Sequence, residues 1–348
     1  MTDVHIRRDG CAGRITLTRA SALNALNYEM CLTIDAALID WAKDDSVALI
    51  IMDATGEKAF CAGGDIARIY ATGRAGDYAY GRSFWHDEYR MNARLAEYGK
   101  PIVSFMQGFV MGGGVGLGCH VSHRVVGESS QIAMPECGIG LIPDVGGTHL
   151  LARAPGQLGA YLGLTGARMG AADAIRAGFA DMFLPEADWD SAKAALISTG
   201  NPDALQPGAE SPAAQLLAHQ PLIDAAFGQG SVAGIVRALE QDGSDFATRT
   251  AKTLRRNSPL SMACTLTMLR NPAARATIRD ALAQEYRFTW RSMENSDFLE
   301  GIRAAIIDKD RAPRWGHDGI DAVTDSEVAA MLASLGPDEL TFATTGKG

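Results

Sequence analysis

The chain has 348 residues, of which 47% are hydrophobic and 21% are charged, and its formal net charge is −9. A chain of this length can bury a substantial core, in one large domain or two small ones. The acidic balance argues against nucleic acid as a partner, because neutralising phosphates requires a basic face. No run of residues is apolar enough to predict a transmembrane helix, so no membrane partner is expected.

The six cysteines show neither a CxxC pair nor a regular spacing. This pattern predicts neither a zinc site nor a disulfide framework, and reduced thiols are typical of a cytosolic protein. The N-terminal residues run directly into strand-like sequence, without the features of a signal peptide or a transit segment. The sequence therefore predicts a cytoplasmic location.

The first hundred residues alternate between strand-like and helical patterns. A turn signal at Asp9-Gly10 separates two strand-like stretches, 4–6 and 14–17, and predicts a β-hairpin. Apolar residues then recur at helical spacing, and the aliphatic run 47–52 predicts a buried strand. Strand, helix and strand in this order predict an α/β protein.

Residues 82–98 predict a helix with an acid on its inner face. The apolar residues of this stretch recur on one side of a helix, and Glu88 falls on that same side. The pattern alone leaves two interpretations open. Glu88 is either a core-edge residue paired with a base such as Arg90 or Arg94, which is the commoner arrangement, or an acid that points into a site.

Residues 108–147 carry the densest chemical signal. Three consecutive glycines at 112–114 follow an apolar run, and if they open a helix their N–H groups point outward without intrahelical partners. Two carboxylates follow, Glu136 and Asp144, in segments too rich in Gly and Pro for the middle of a regular element. Donors for an oxyanion beside acids and bases suit an acyl-transfer or enolate enzyme. From composition alone, an equally common alternative is that this stretch forms solvated loops with isolated acidic residues.

Two other sites are weaker interpretations of this stretch. A dinucleotide-binding loop requires an acidic residue at the end of a second strand, about 20 residues further on, and none stands there. His120 and His123 have the i, i+3 spacing of a shared ligand, but no Glu or third His stands at a zincin spacing. The sequence therefore predicts no metal site.

Two segments together resemble the crotonase superfamily, the enoyl-CoA hydratase and isomerase group. They are residues 58–65 (Lys-Ala-Phe-Cys-Ala-Gly-Gly-Asp) and the glycine-rich residues 108–147. The similarity extends over nearly the whole chain, from residue 13 to residue 315. It implies the crotonase spiral of ββα units, followed by a helical C-terminal region. Superfamily members commonly form trimers or pairs of trimers, so a homo-oligomer is possible, unless the longer C-terminal region covers that interface.

The C-terminal part of the chain predicts helices. Residues 199–213 are rich in Pro and Gly and form the expected linker between a core of residues 1–198 and a helical region of residues 214–348 that packs on this core. Three helix signals follow the linker: a Ser-Pro start at 258–259, a long helical run over 273–293, and a capping-box pattern at 297–300 before a helix over 301–307.

The resemblance also implies substrate contacts. Two backbone N–H groups, those of Ala62 and Gly113, are expected to hold a thioester oxygen. Gly64, Asp65 and Gly112 lie beside them in the sequence and are expected to bind substrate. Two basic residues near the C-terminus, 309 and 311, are compatible with contacts to CoA phosphates or with a solvated basic face.

The acids select the reaction that the resemblance implies. Hydratases of the superfamily use two glutamates; here the first position is Gly116, the second is retained as Glu136, and Asp144 stands where hydratases have glycine. This exchange resembles the hydroxyacyl-CoA hydrolases, in which a glutamate corresponding to Glu88 lines the acyl pocket.

The expected reaction is therefore hydrolysis of a short 3-hydroxyacyl-CoA thioester, with 3-hydroxyisobutyryl-CoA of valine breakdown as the expected substrate. Glu136 is the expected nucleophile or general base, and Asp144 is expected to orient the substrate hydroxyl or the water. No cofactor is expected beyond the CoA of the substrate. The alternatives are an enoyl-CoA hydratase or isomerase whose second acid has moved to Asp144, and a non-catalytic protein that binds acyl-CoA.

Overall fold

The computed structural model describes residues 2–206 and 212–342. The strands of this part of the chain are β1 (Val4–Asp9), β2 (Ala12–Leu17), β3 (Leu49–Ala54), β4 (Ala59–Cys61), β5 (Ile102–Met106), β6 (Phe109–Met111), β7 (His123–Val126), β8 (Gln131–Ala133) and β9 (Met182–Phe183). The α-helices are α1 (Tyr28–Trp41), α2 (Ile66–Arg74), α3 (Ala79–Ala96), α4 (Gly113–Gly118), α5 (Gly147–Arg153), α6 (Leu158–Thr165), α7 (Ala171–Ala177), α8 (Trp189–Thr199), α9 (Gln220–Phe227), α10 (Val232–Asp242), α11 (Asp245–Arg256), α12 (Pro259–Arg270), α13 (Pro272–Ala276), α14 (Ile278–Asn295), α15 (Phe298–Ile302) and α16 (Asp325–Leu332). No helix within these residues combines the length and the apolar character needed to cross a membrane.

The strands form two sheets, and from β3 to β8 successive strands alternate between them. One sheet has the order β1-β2-β3-β5-β7-β9 and the other has the order β4-β6-β8. The predicted hairpin, β1 with β2, is antiparallel, and the other neighbours pair in parallel. Each pair of successive strands from β3 to β8 places one strand in each sheet, and helices follow each pair. The predicted α/β class and the ββα repeat are thus confirmed.

The larger sheet is buried on both faces, which explains the unbroken apolar run of β3. Leu49 and Ile51 face a cluster that includes Trp189 of α8, whereas Ile50 and Met52 face the main core. Successive side chains of a strand point to opposite sides, so alternate residues of β3 enter different cores. The sheet is therefore held in place from both sides.

The C-terminal helices share the main core with the sheets. One apolar cluster extends from Val4 to Leu340 and includes residues of every helix from α9 to α12. Helix α14 lies against α3, where the rings of Tyr286 and Tyr89 have centroids 6.1 Å apart. Of the predicted linker 199–213, residues 207–211 lie outside the described residues, and the boundary between the two regions stays a prediction.

The helix start predicted at 258–259 is confirmed, and α1 begins with a cap of the same kind. Asn27 caps α1 by accepting from the Met30 N–H at 2.8 Å, and Ser258 caps α12 by accepting from the Ser261 N–H at 3.2 Å. The helix predicted over 273–293 was wrong as a single element, because Thr277 is extended and separates α13 from α14. The Thr277 hydroxyl accepts from the Asp280 N–H at 3.1 Å and so begins the second helix.

The capping box predicted at residues 297–300 was also wrong. Asp297 does not cap α15; its carboxylate accepts from the Ser258 hydroxyl at 2.6 Å and from the Gly316 N–H at 2.7 Å. Because residues distant in the sequence donate to both carboxylate oxygens of Asp297, neither oxygen caps the helix. The capping box that does form joins Thr324 and Glu327 at the start of α16.

Candidate active site

Two glycine loops meet at the carboxyl ends of β4 and β6, which are parallel neighbours in the smaller sheet. A Cβ atom built on Gly113 would lie 3.3 Å from the backbone nitrogen of Gly64. Throughout residues 2–206 and 212–342, neither the Gly64 N–H nor the Gly113 N–H has a hydrogen-bond acceptor. Two adjacent free N–H groups are the arrangement that stabilises an oxyanion.

The structure corrects two of the predicted contacts in the first loop. The N–H of Ala62 donates to the carbonyl of Leu23 at 3.1 Å, so this N–H is not available to a ligand. Gly64, two residues further on, has the free N–H that the prediction assigned to Ala62. The carboxylate of Asp65 pairs with Arg19 at 2.7 Å, and Asp65 does not line the cavity described below. It secures the loop instead.

The second loop depends on glycine for close approach. Gly112 has a φ of +47°, and a Cβ atom there would lie 2.8 Å from Oε1 of Glu136. A Cβ atom on Gly114 would lie 2.1 Å from the carbonyl oxygen of Cys61 at the end of β4. These positions let α4 begin directly against β4, which brings the two loops together.

Gly114→Ala is therefore expected to lower the free energy of unfolding by about 1–3 kcal/mol, the usual effect of forcing an atom into a packed core. The methyl group would displace the backbone of Cys61, which has no side-chain freedom with which to yield. Urea unfolding measures the loss. Gly99→Ala is the matched control, because a Cβ atom at Gly99 meets nothing within 4 Å. Equal stability of both variants would contradict close contact between α4 and β4.

Three carboxyl groups converge on a cavity of about 110 Å³ beside these loops. Glu88 comes from α3, Glu136 from a short 3-10 turn (Glu136–Ile139), and Asp144 from the loop before α5. Only 4–5% of each residue is exposed. Oε1 of Glu88 and Oε2 of Glu136 have no hydrogen-bond partner in the part of the chain that the structure describes. Buried carboxyl groups without partners are costly, which marks the cavity as a functional site.

Burial raises the pKa of all three carboxyl groups, and the charge of Asp144 raises the pKa of Glu88 and Glu136 further. Burial brings the pKa of Asp144 to about 7, against an opposing hydrogen bond from Tyr89. The Tyr89 hydroxyl donates to Oδ2 of Asp144 at 2.8 Å. This hydrogen bond favours the charged form of Asp144 and opposes the effect of burial on its pKa.

The inward position predicted for Glu88 is confirmed. Arg94 donates to Asp35 at 2.7 Å instead, and Glu88 forms no ion pair with any residue that the structure describes. Its Oε1 lies 3.2 Å from the Cβ position of Gly113, directly beside the free N–H groups. Its role in binding substrate stays a prediction.

Gly116 stands where the resemblance places the first of the two hydratase glutamates, and packing leaves no room for a side chain there. A Cβ atom on Gly116 would lie 2.8 Å from Nδ2 of Asn92 and 2.9 Å from Cβ of Val145. Asn92 is completely buried, and neither atom of its amide has a partner among residues 2–206 and 212–342. A longer side chain at residue 116 would therefore displace both neighbours.

The cavity wall beyond the carboxyl groups is apolar. A volume of about 110 Å³ suits a short acyl chain. The wall includes Phe298 of α15, whose ring lies 5.8 Å from that of Trp85. The remaining apolar side chains of the wall include Ile69, Phe84, Ile139 and Leu141. The C-terminal helices thus help to close the cavity.

Sequence reasoning missed two polar residues of this region. Tyr89 holds Asp144, as described above. Glu285 of α14 is completely buried, and its carboxylate accepts from the backbone N–H groups of Gly146 at 2.8 Å and Thr148 at 2.9 Å. Glu285 follows the buried Leu282 by three residues and precedes the buried Thr289 by four. This is the same inner-face signal that identified Glu88.

The histidine pair does not converge. Nε2 of His120 donates to the carbonyl of Val145 at 2.9 Å, whereas Nδ1 of His123 lies 2.9 Å from the hydroxyl of Ser122. Within the described residues, no group of three or more His, Cys, Asp and Glu side chains could hold a metal ion. Lys309 and Arg311 are exposed and have positive φ angles, and their contact with CoA stays a prediction.

Known proteins with the same architecture were found by sequence and by structure. A family profile described as enoyl-CoA hydratase/isomerase matches residues 12–332. A protein from Gallus gallus named 3-hydroxyisobutyryl-CoA hydrolase, mitochondrial, is 39% identical over 97% of this chain and 90% of its own length. A solved enoyl-CoA hydratase from Rhodobacter sphaeroides is 57% identical, with a TM-score of 0.95, over 98% of this chain and all of its own. A carnitinyl-CoA dehydratase from Mycobacterium thermoresistibile is 41% identical, with a TM-score of 0.94, over 99% of this chain and all of its own.

These relatives contradict the predicted cytoplasmic location. The hydrolases from Gallus gallus, Xenopus tropicalis and Rattus norvegicus are all named as mitochondrial. The prediction rested on reduced cysteines and on N-terminal residues without the features of a transit segment. It was wrong because free thiols exclude oxidising compartments without distinguishing between reducing ones.

The names of the relatives differ in the reaction and agree that the substrate is a CoA thioester. The names alone therefore do not distinguish hydrolysis from hydration or dehydration. The arrangement of the acids does. The ancestry is clear from the extent of the matches. With a family profile matched over residues 12–332 and full-length relatives well above 30% identity, the chain belongs to the enoyl-CoA hydratase/isomerase family.

Proposed function

We propose that the protein hydrolyses 3-hydroxyisobutyryl-CoA to 3-hydroxyisobutyrate and CoA. One observation carries this proposal: Glu136 and Asp144 face the same small cavity, while Asn92 and Val145 fill the place of the first hydratase acid at Gly116. Relatives named 3-hydroxyisobutyryl-CoA hydrolase, 36–39% identical over almost the whole chain, support it.

The thioester oxygen would lie between the N–H groups of Gly64 and Gly113. Each such donor is worth about 3 kcal/mol to a transition state in which that oxygen becomes an anion. Gly112 allows the acyl group to come close, because no side chain stands between this loop and Glu136. The CoA thiolate leaves as the C–S bond breaks, and it takes up a proton. A carboxylate and an oxyanion hole are sufficient for this reaction, so CoA enters only as part of the substrate.

The carboxyl groups divide the remaining work. Glu136 either attacks the carbonyl carbon, forming a mixed anhydride that water then opens, or removes a proton from the attacking water. Asp144, with its charge held by Tyr89, orients the 3-hydroxyl group or the water. Glu88, which also lines the cavity, would contact the acyl group.

The same geometry supports a proposed division of the chain. We propose a core of residues 1–198 that carries the loops and the carboxyl groups, and a C-terminal region of residues 214–348 that completes the cavity. Phe298 of this region lines the cavity, and Thr289 lies 3.4 Å from the Tyr89 hydroxyl. The C-terminal region is therefore a part of the active site and not an appendage.

The test is an assay of purified protein with 3-hydroxyisobutyryl-CoA and a thiol-reactive dye, with crotonyl-CoA in parallel. Thiol release from the hydroxyacyl thioester, with crotonyl-CoA unchanged, is the expected result. Hydration of crotonyl-CoA without thiol release would establish the hydratase alternative. Binding of both thioesters without turnover would establish a non-catalytic acyl-CoA-binding protein.

A further inference from the structure

The backbone that carries Asp144 is in an unusual conformation. Val145, which follows it, has a φ of +53°, and Gly146 has a φ of +81°. The left-handed region is rare for a β-branched residue, which persists there only when its surroundings hold it. One support is His120, whose Nε2 donates to the Val145 carbonyl at 2.9 Å.

Glu285 provides the other support from the opposite end of the chain. Its Oε2 accepts from the Gly146 N–H at 2.8 Å, and its Oε1 accepts from the Thr148 N–H at 2.9 Å and from the Thr148 hydroxyl. Both carboxylate oxygens are thus used on a segment that begins two residues after Asp144. Glu285 does not line the cavity, so its carboxylate has no direct access to a substrate there.

We propose that Glu285 is a positioning residue, which fixes the loop 144–148 and thereby aims the Asp144 carboxylate into the cavity. This inference rests on the proposed function, in which Asp144 acts on the substrate. Helix α14 reaches Asp144 by a second route, because Thr289 lies 3.4 Å from the hydroxyl of Tyr89, which donates to Asp144. Helix α14 therefore contacts both the backbone that follows Asp144 and the tyrosine that bonds its side chain.

Glu285→Gln tests the proposal with little change in size. The amide nitrogen can only donate, so it would face either the Gly146 N–H or the two donors of Thr148 and break that side of the arrangement. Glu294→Gln is the matched control on the same helix, because Glu294 is exposed and pairs with Arg82. Thr148→Val is the milder second variant, since it removes one of the three donors and keeps the backbone N–H.

Two measurements separate positioning from general stability. In hydrogen exchange, the amides of 144–148 are expected to exchange faster in Glu285→Gln than in the wild type or Glu294→Gln, with α3 and the sheets unchanged. In the thiol-release assay, kcat is expected to fall about 10- to 100-fold with KM retained, because misplacement of a reacting group by about 1 Å is enough for such a loss. Thr148→Val is expected to raise the exchange rates and to lower kcat by smaller factors than Glu285→Gln.

Several results would overturn the proposal. Wild-type kcat in folded Glu285→Gln would do so, as would unchanged exchange in the loop 144–148. If Glu285→Gln does not fold, Thr148→Val decides, and wild-type kcat together with wild-type exchange in that variant would reject the positioning role. Absence of thiol release by the wild type would instead refute the proposed function, and the exchange measurement would still test whether Glu285 holds the loop.

Discussion

Glu136→Gln is expected to lower kcat for thiol release from 3-hydroxyisobutyryl-CoA by about 100- to 10,000-fold, the usual contribution of a positioned acid or base. Glutamine has the size of glutamate, but its amide neither attacks a carbonyl carbon nor removes a proton from water. The N–H groups of Gly64 and Gly113 are untouched, so substrate is expected to bind with a similar KM. The dye assay measures both constants.

Glu57→Gln is the control for this prediction, because Glu57 is exposed and lies just before β4. It is expected to leave kcat unchanged. Full thioesterase activity in Glu136→Gln would show that Glu136 takes no part in the reaction. The proposal based on Glu136 and Asp144 facing one cavity would then fail. A large rise in KM at constant kcat would instead make Glu136 a binding residue.

Oxygen-18 water distinguishes the two roles left open for Glu136. In the nucleophilic route, water that attacks the Glu136 carbonyl of the mixed anhydride leaves its oxygen in the side chain, and the product departs with a carboxylate oxygen of Glu136. In the general-base route, the labelled oxygen enters the product and the side chain keeps its own. A mass increase in the peptide that contains Glu136 after turnover would therefore establish the anhydride.

Local sequence patterns located the inward acid Glu88 and the glycines of this site. Helical periodicity placed Glu88 on the buried face of α3, and the glycines at 112–114 lie where two loops meet. Both inferences depend only on neighbours along the chain, since periodicity and glycine geometry are properties of short segments. The same rule applied to α14 would have drawn attention to Glu285.

Tertiary contacts decided what the sequence could not. Whether Ala62 or Gly64 offers a free N–H depends on the carbonyl of Leu23, in a separate segment. Glu285 and Gly146 are 139 positions apart, and no local signal reports that they meet. Resemblance to a family indicated the residue types of the expected oxyanion loop, but only the hydrogen bonds show which N–H is free.

The pH profile of kcat/KM is expected to show an acid limb near pH 7, from ionisation of the group to which Asp144 belongs. Asp144 works as the carboxylate in the proposed reaction, so activity falls as pH falls through this pKa. Asp144→Asn removes one ionisable group and the charge that raises the pKa of Glu136, so it is expected to lower kcat by about 100-fold or more and to shift the limb. An unchanged limb in that variant would assign it to another acid.

Tyr89→Phe provides the sharper test, because it keeps the carboxylate and removes only the hydroxyl that lowers its pKa. Without this donor the protonated form is favoured over a wider range, so the acid limb is expected to move to higher pH. Tyr80→Phe, on the same helix, is the control and is expected to leave the limb in place. The limb belongs to a coupled set of carboxyl groups, yet only Asp144 among them receives a hydrogen bond from Tyr89. A shift to lower pH would therefore mean that the reactive form carries a proton on Asp144 and a charge on Glu136, and Asp144 would then orient the substrate as a neutral acid.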